Sequence, residues 1–196
     1  MSSALLDEVA LKERARALGA LLRASAEGLV GDEFAAVLLL DGPMGAGKTT
    51  FTRALAAGLG VAHAERVCSP TFTLCMVHAG AGPGPVTLIH VDLFRLADAD
   101  DEGMGGVAGF DALDLEEIAG EATSGSAAAE PRVLVVEWAA KWSAPPPDHL
   151  AIRLAFPGGA DGFDDSRRIV AVEARGARSA AILARWSDPR ATTPLL

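Results

Sequence analysis

Val37-Leu38-Leu39-Leu40-Asp41-Gly42-Pro43-Met44-Gly45-Ala46-Gly47-Lys48-Thr49-Thr50 is the stretch whose reading decides the fold. It passes from an apolar run through a glycine-rich turn into residues that favour a helix. From Gly42 to Thr49 two glycines five positions apart are followed by Lys and Thr, the pattern of a phosphate-binding loop. Glycines let the backbone curl so that successive N–H groups face phosphate oxygens, and the N-terminus of the following helix adds partial positive charge. On this reading Gly42, Gly45, Ala46, Gly47 and Thr50 surround the phosphates, Lys48 reaches the outer ones and Thr49 holds Mg²⁺. The plainer alternative is a glycine-rich turn with a solvated lysine, and it accounts for neither the apolar run before the turn nor the helical segment after it.

Moving outward, Ala35–Leu40 reads as a short strand covered on both faces. Residues 49–59, with Phe51, Leu55 and Leu59 on one side, read as a helix that Gly60 stops. Upstream, Leu5, Leu6, Val9, Leu18, Leu21 and Leu22 recur at helical spacing among charged residues, which predicts one amphipathic helix over residues 3–26. Downstream, Ser69-Pro70 marks a turn, the segment from Thr73 to His78 reads as a strand, and Gly80–Pro85 as a hairpin connection. Thr87–Val91 and Val133–Val136 are further apolar strands. After Pro145-Pro146-Pro147, Leu150–Phe156 and Ile169–Val172 alternate with period two and read as an antiparallel pair at one edge of the sheet. Ala177–Trp186 reads as a closing helix. The expected architecture is a single α/β P-loop domain over residues 1–186, with a mixed, mostly parallel sheet flanked by helices. Residues 97–131, acidic and then rich in Gly, Ser and Ala, read as a flexible insertion-like loop with a short helix at Asp114–Ala119, and residues 187–196 as a loose tail.

Half of the 196 residues are apolar, enough for a full core. A net charge of −9 argues against an extended basic surface that grips nucleic acid unaided, so a nucleic acid enters only as the target of a larger complex. No apolar run approaches the ~20 residues of a membrane helix, and the N-terminus lacks the layout of a signal peptide, so a cytoplasmic protein is expected. The two cysteines, Cys68 and Cys75, read as small buried thiols in a reducing compartment rather than as a disulfide or, with His63 and His78, a zinc site.

Two strands end in carboxylates, Asp92 and Glu137. In an open α/β sheet the ligand lies beyond the carboxyl ends of the strands, where the phosphate loop also sits. One carboxylate then serves the Mg²⁺ and the other orients or activates water. The favoured order is Glu137 at the metal and Asp92 at the water, although residue types alone leave the reverse open. Thr71 and Thr73 follow the Ser-Pro turn, where a hydroxyl either reaches a phosphate or metal or belongs to an ordinary strand former. Trp138 either lines the nucleotide pocket or plugs the core, Arg95 is a phosphate or partner contact or a surface residue, and His90, which shares the strand face of Asp92, reads as structural. No Asn-Lys-x-Asp guanine-reading motif is present, which favours ATP over GTP. Asp100–Gly103 fits an Asp-x-x-Gly pattern only formally, inside its acidic run. There is no arginine-rich lid of the sort small kinases close over a second substrate.

Taken together, Gly45–Phe51, Ser69–Leu74, His90–Leu96 and Val136–Trp138 resemble, in order and spacing, the TsaE (YjeE) family. The resemblance covers about residues 35–175. It implies an ATPase, weak by itself, that docks on the TsaB–TsaD heterodimer and whose hydrolysis resets that complex while it makes threonylcarbamoyladenosine in tRNA. The transfer itself would belong to TsaD. By position it implies Lys48 and Thr49 at phosphate and Mg²⁺, Thr71 and Asp92 in a switch-like region near the γ-phosphate, Glu137 as the second acidic residue and Trp138 close to the nucleotide. Pro43-Met44 departs from the family's acidic-Leu pair, and the segment 97–131 is longer and richer in glycine than the family pattern. Two rival readings are a free-standing small-molecule kinase and a non-hydrolysing nucleotide-dependent assembly module.

Overall fold

The computed structural model describes residues 2–26, 34–95, 131–142, 144–159 and 162–188. Around the phosphate loop, β2 (Phe34–Asp41) is the continuous apolar strand expected. It is flanked in parallel by β5 (Arg132–Glu137) and β6 (His149–Ala155). Beyond β5 lies β4 (Thr87–Asp92), also parallel, and then β3 (Cys75–His78), antiparallel to it through the 79–86 connection. On the far side β9 (Arg167–Arg175) runs antiparallel to β6, and β1 (Ser2–Asp7) antiparallel to β9. The seven-stranded sheet has the order β1-β9-β6-β2-β5-β4-β3, parallel at its centre. A two-stranded ribbon, β7 (Gly158–Gly159) with β8 (Gly162–Phe163), stands between β6 and β9 in the chain.

Three helices complete the described fold: α1 (Glu8–Ala26), α2 (Lys48–Leu59) and α3 (Ala177–Ser187). One sheet face carries Leu38, Leu40, Val133 and Val135, which share a buried cluster with Leu18 of α1, Phe51 and Leu55 of α2, and Trp186 of α3. Phe51 and Trp186 meet edge to face at 6.4 Å. Burying a side chain the size of Phe51 contributes about 1.5–3 kcal/mol. The opposite face buries Val37, Leu39, Ile89, Val91, Leu134 and Val136. That two-sided burial is why these strands read as continuous apolar runs rather than alternating ones.

The structure corrects several expectations. Residues 3–26 are not one helix: Leu5 and Leu6 lie in β1, where Ala4 pairs with Val170 and Leu5 with Ile169. Asp7 separates strand from helix, accepting a hydrogen bond from the Ala10 N–H at 2.8 Å as an N-cap does. Within α1 the buried residues include Leu11 and Ala15 besides Leu18 and Leu22, and Val9 is exposed. The antiparallel β6–β9 pair forms as expected, but β6 lies inside the sheet and β1 takes the edge. Thr73 belongs to a turn, with β3 starting at Cys75. Cys68 is exposed and Cys75 only partly buried, against the expectation of two buried thiols. Burial nonetheless pushes the Cys75 thiol upward from its ordinary pKa. The insertion-like segment with its Asp114–Ala119 helix, the formal Asp100–Gly103 pattern and the C-terminal tail fall outside the described residues, except at Pro131, Ser187 and Asp188. Among the described residues no helix is long and apolar enough to cross a membrane.

Close approach of α1 and α2 rests on a pair of glycines. A Cβ on Gly58 would stand 2.0 Å from the Arg16 carbonyl oxygen, and one on Gly19 would stand 2.2 Å from that of Leu55. Backbone cannot yield as a side-chain tip does. Gly58→Ala is therefore expected to destabilise the protein by about 1–3 kcal/mol, a loss of about 2–12 °C in Tm for a domain of this size, measured by thermal unfolding without ligand.

Candidate nucleotide-binding site

The parallel strands bring the motif residues to one level. Leu40 of β2 pairs with Glu137 of β5, which pairs in turn with Asp92 of β4, so the phosphate loop and both carboxylates emerge from adjacent strand ends. A cavity of ≈ 310 Å³ opens there, lined by the loop residues Gly45, Gly47, Lys48, Thr49 and Thr50 together with Thr71, Asp92, Glu137 and Trp138. A second cavity of ≈ 280 Å³ lies on the sheet between β6 and β9 and is lined by none of the motif residues.

The loop has the backbone its sequence requires. Gly42, Gly45 and Gly47 have φ of 142°, 75° and 102°, values that side chains strongly disfavour. Gly42 also touches backbone: a Cβ there would lie 2.1 Å from the Leu154 carbonyl oxygen. Lys48 is 5% exposed. Its Nζ donates to the carbonyls of Gly42 at 2.7 Å and Pro43 at 3.0 Å, and it stands 3.8 Å over the Trp138 ring. Burial lowers its pKa, partly offset by Glu137, Asp41 and Asp92. The ammonium is thus held over the loop by neutral carbonyls, partners that an anionic phosphate outcompetes.

Glu137, 2% exposed, is the centre of the polar network. Its Oε2 accepts from Thr49 Oγ1 at 3.0 Å, and its Oε1 from Thr52 Oγ1 at 3.3 Å. His90 Nε2 lies 2.8 Å from the same Oε1. That geometry sets the tautomer with Nε2–H, and Nδ1 is buried without a hydrogen-bond partner among the described residues. Asp92, also 2% exposed, accepts from Thr71 Oγ1 at 2.7 Å and from Ser69 Oγ on Oδ2. Its Oδ1 accepts from the Phe94 N–H at 2.8 Å. The Thr71 turn closes through a Leu74 N–H to Pro70 oxygen bond of 2.7 Å.

Leu74 and Trp138 have φ of 62° and 59°. Left-handed backbone at such residues stores about 1–3 kcal/mol each and concentrates at functional sites; here one residue ends the Thr71 turn and the other follows Glu137. Trp138 meets Phe94 at 5.0 Å and forms a wall of the cavity. Trp138 both lines the cavity and packs, partly buried, against the core of this sheet face, and Thr71 lies in a turn rather than in a strand.

Of the residues read from the sequence, Gly45, Gly47, Lys48, Thr49, Thr50, Thr71, Asp92, Glu137 and Trp138 line this cavity, whereas Gly42, Ala46 and Thr73 do not. Arg95 instead lies 4.8 Å over the exposed Phe72 ring, outside the residues that line the cavity. Three participants escaped the sequence reading. Thr52 stands three residues after Thr49 on α2, a spacing that shares a helix face. Ser69 precedes Thr71 by two in the same turn. His90, read as structural, is bonded to Glu137.

Thr49 and Glu137, the pair expected at Mg²⁺, present hard oxygen donors of the kind that cation takes; among the described residues no group of three or more His, Cys, Asp or Glu side chains is arranged to hold a metal. Fold and site define the class: a phosphate-loop α/β domain whose second and third motifs are strand-end carboxylates. The family model "Threonylcarbamoyl adenosine biosynthesis protein TsaE" matches residues 6–161, and the chain belongs to this family. It is 40% identical over 128 residues to the tRNA threonylcarbamoyladenosine biosynthesis protein TsaE of Streptomyces coelicolor, covering 65% of this chain and 66% of that one. The protein of the same name from Mycobacterium leprae is 38% identical over 134 residues, covering 68% and 66%. The chain thus spans just under two thirds of the length of these relatives. A crystal structure of Bacillus subtilis YdiB superposes with a TM-score of 0.50 at 25% identity, covering 95% of both chains.

Proposed function

We propose that this chain is an ATP-hydrolysing accessory subunit of the tRNA threonylcarbamoyladenosine machinery, acting on a TsaB–TsaD heterodimer to permit repeated turnover. The observation that carries the ATPase reading is the 3.0 Å bond between Thr49 Oγ1 and Glu137 Oε2, next to Lys48 and level with Asp92. A loop that only gripped phosphate would not require two buried carboxylates at the same strand ends.

In this reading the backbone N–H groups from Gly42 to Thr49 bind the phosphates, and Lys48 moves from the Gly42 and Pro43 carbonyls onto the outer phosphate. Thr49 and Glu137 would hold Mg²⁺, which when bound would supply neutralisation of phosphate charge. Asp92, aligned by Ser69 and Thr71, orients the attacking water. Release of Thr71 from Asp92 then reports the γ-phosphate to the surface turn that carries Phe72. Trp138 shields the phosphates from solvent. With a net charge of −9, tRNA is met only through the complex. The relatives' shared name supports the pathway, and the family resemblance supplies TsaB–TsaD as the partner.

The deciding measurement is phosphate release from ATP by the protein alone and with purified TsaB–TsaD. Slow turnover alone and a clear rise with the heterodimer are expected. Turnover indifferent to the heterodimer but raised by a small hydroxylated metabolite would make the protein a kinase. Tight ATP binding without phosphate release in either mixture would make it an assembly module.

A further inference from the structure

Arg168 is the one side chain from the far half of the sheet that grips the phosphate loop in the hydrogen-bond network of the described residues. It lies on β9 and pairs in register with Leu6 of β1. From there its Nε donates to the Ala46 carbonyl at 3.1 Å and its Nη2 to the Gly45 carbonyl at 3.2 Å. Nη1 donates to the carbonyls of Asp165 and Arg167 at 2.6 and 2.8 Å, and the guanidinium stacks on Phe156 with its carbon 4.1 Å from the ring centre. The planar fork is therefore locked on one face by an aromatic ring and on two edges by backbone. It forms no ion pair within the described residues. Residue 168 also falls outside the 6–161 segment matched by the family model.

We infer that Arg168 is a positioning residue that braces the phosphate loop in its nucleotide-competent shape from the outside. In a trans peptide the N–H points opposite to the C=O. Holding the Gly45 and Ala46 carbonyls outward therefore fixes the N–H groups of Ala46 and Gly47 on the side away from Arg168. The Ala46 N–H closes the turn onto the Pro43 carbonyl at 3.2 Å. The Gly47 N–H is left free to face the cavity that Gly47 lines. Gly45 and Gly47 are the residues with least intrinsic preference for this shape, so without the brace the loop samples others. Apparent affinity falls by the fraction of loop that remains competent. The step rests on the reading of the loop as a nucleotide site. Arg168 touches no substrate in it.

Arg168→Met keeps the stem over Phe156 and removes the donors, and Arg168→Lys keeps the charge but loses the fork. Binding of a fluorescent ADP to the full chain is expected to weaken by about tenfold in the Met variant, as for a loop competent about a tenth of the time. The Lys variant is expected to remain at least severalfold weak, and Arg168→Ala to regain affinity on addition of guanidinium ion. Turnover at saturating ATP should change little, and ligand-free Tm should fall by only about 3–6 °C, the cost of the lost brace. Hydrogen exchange at the Ala46 amide, which is bonded to the Pro43 carbonyl, should quicken in the ligand-free Met variant. Wild-type affinity in the Met variant together with unchanged exchange overturns the brace. Full recovery in the Lys variant does so as well, because it assigns the effect to charge alone. If the wild-type protein binds no nucleotide, the ATP reading falls, and the exchange measurement still decides whether Arg168 braces the loop.

Discussion

Lys48→Ala is expected to weaken ATP binding by at least about 30-fold while leaving the protein folded. The Lys48 ammonium is 5% exposed, held by the Gly42 and Pro43 carbonyls and the Trp138 ring. Removing one member of a desolvated, hydrogen-bonded charge pair costs about 2–5 kcal/mol, roughly a 30- to 5000-fold loss of affinity. The empty protein loses two hydrogen bonds to neutral carbonyls but is also relieved of a buried charge, so its own Tm should move by only a few degrees. Thermal shift separates these effects. At ATP about a hundredfold above its Kd the wild-type protein gains about 2.7 kcal/mol, an upward shift of roughly 5–10 °C for a domain of this size. The Lys48→Ala protein should show a shift of at most about 2–3 °C at the same concentration. An undiminished shift would mean that the lysine is a spectator of the loop.

Glu137→Gln should do the opposite, leaving ATP bound but uncleaved. An amide can keep all the contacts the carboxylate makes: an oxygen at the Oε1 position still accepts from Thr52 and His90, and the Thr49 hydroxyl can rotate to accept from the nitrogen. Fold and nucleotide affinity are thereby retained while the negative charge disappears. Loss of a group that positions metal or moves a proton lowers turnover by about 10²–10⁴-fold, read by single-turnover hydrolysis. Glu137→Ala is the harsher change, because it strands the buried His90 Nε2 at about 1–3 kcal/mol, whereas Thr52 keeps its 3.1 Å bond to the Lys48 carbonyl. Full turnover in the Gln variant would remove Glu137 from the chemistry and leave Asp92 as the acting carboxylate.

These two residues were visible in the sequence because the physics that places them is short-ranged. The glycine spacing from Gly42 to Gly47 specifies a loop within a few residues, and the helix that starts at Lys48 follows without a break. Leu88–Val91 and Leu134–Val136 are apolar enough to be buried strands in any context, so Asp92 and Glu137 had to fall at strand ends. Leu5 and Leu6 show where local reading fails. Their spacing suits a helix, but β9 offers backbone hydrogen bonds from more than 160 positions away, and Asp7 caps the helix only after them. Thr71 was undecided because a threonine after a Ser-Pro turn has the same local sequence whether or not a carboxylate lies opposite, and here Asp92 does.

From residue identities alone came the phosphate loop, the two-sided burial of the central strands and the strand-end position of both acids, since each depends on backbone freedom and solvation of a contiguous segment. Only the tertiary structure decided that Glu137 bonds Thr49, Thr52 and His90, that Asp92 holds the Ser69–Thr71 turn, and that Arg168 reaches back to the Gly45 and Ala46 carbonyls. Those contacts join residues 21 to 123 positions apart. They exist because sheet pairing brings the strand ends level, and no local pattern encodes which side chains will face one another across them.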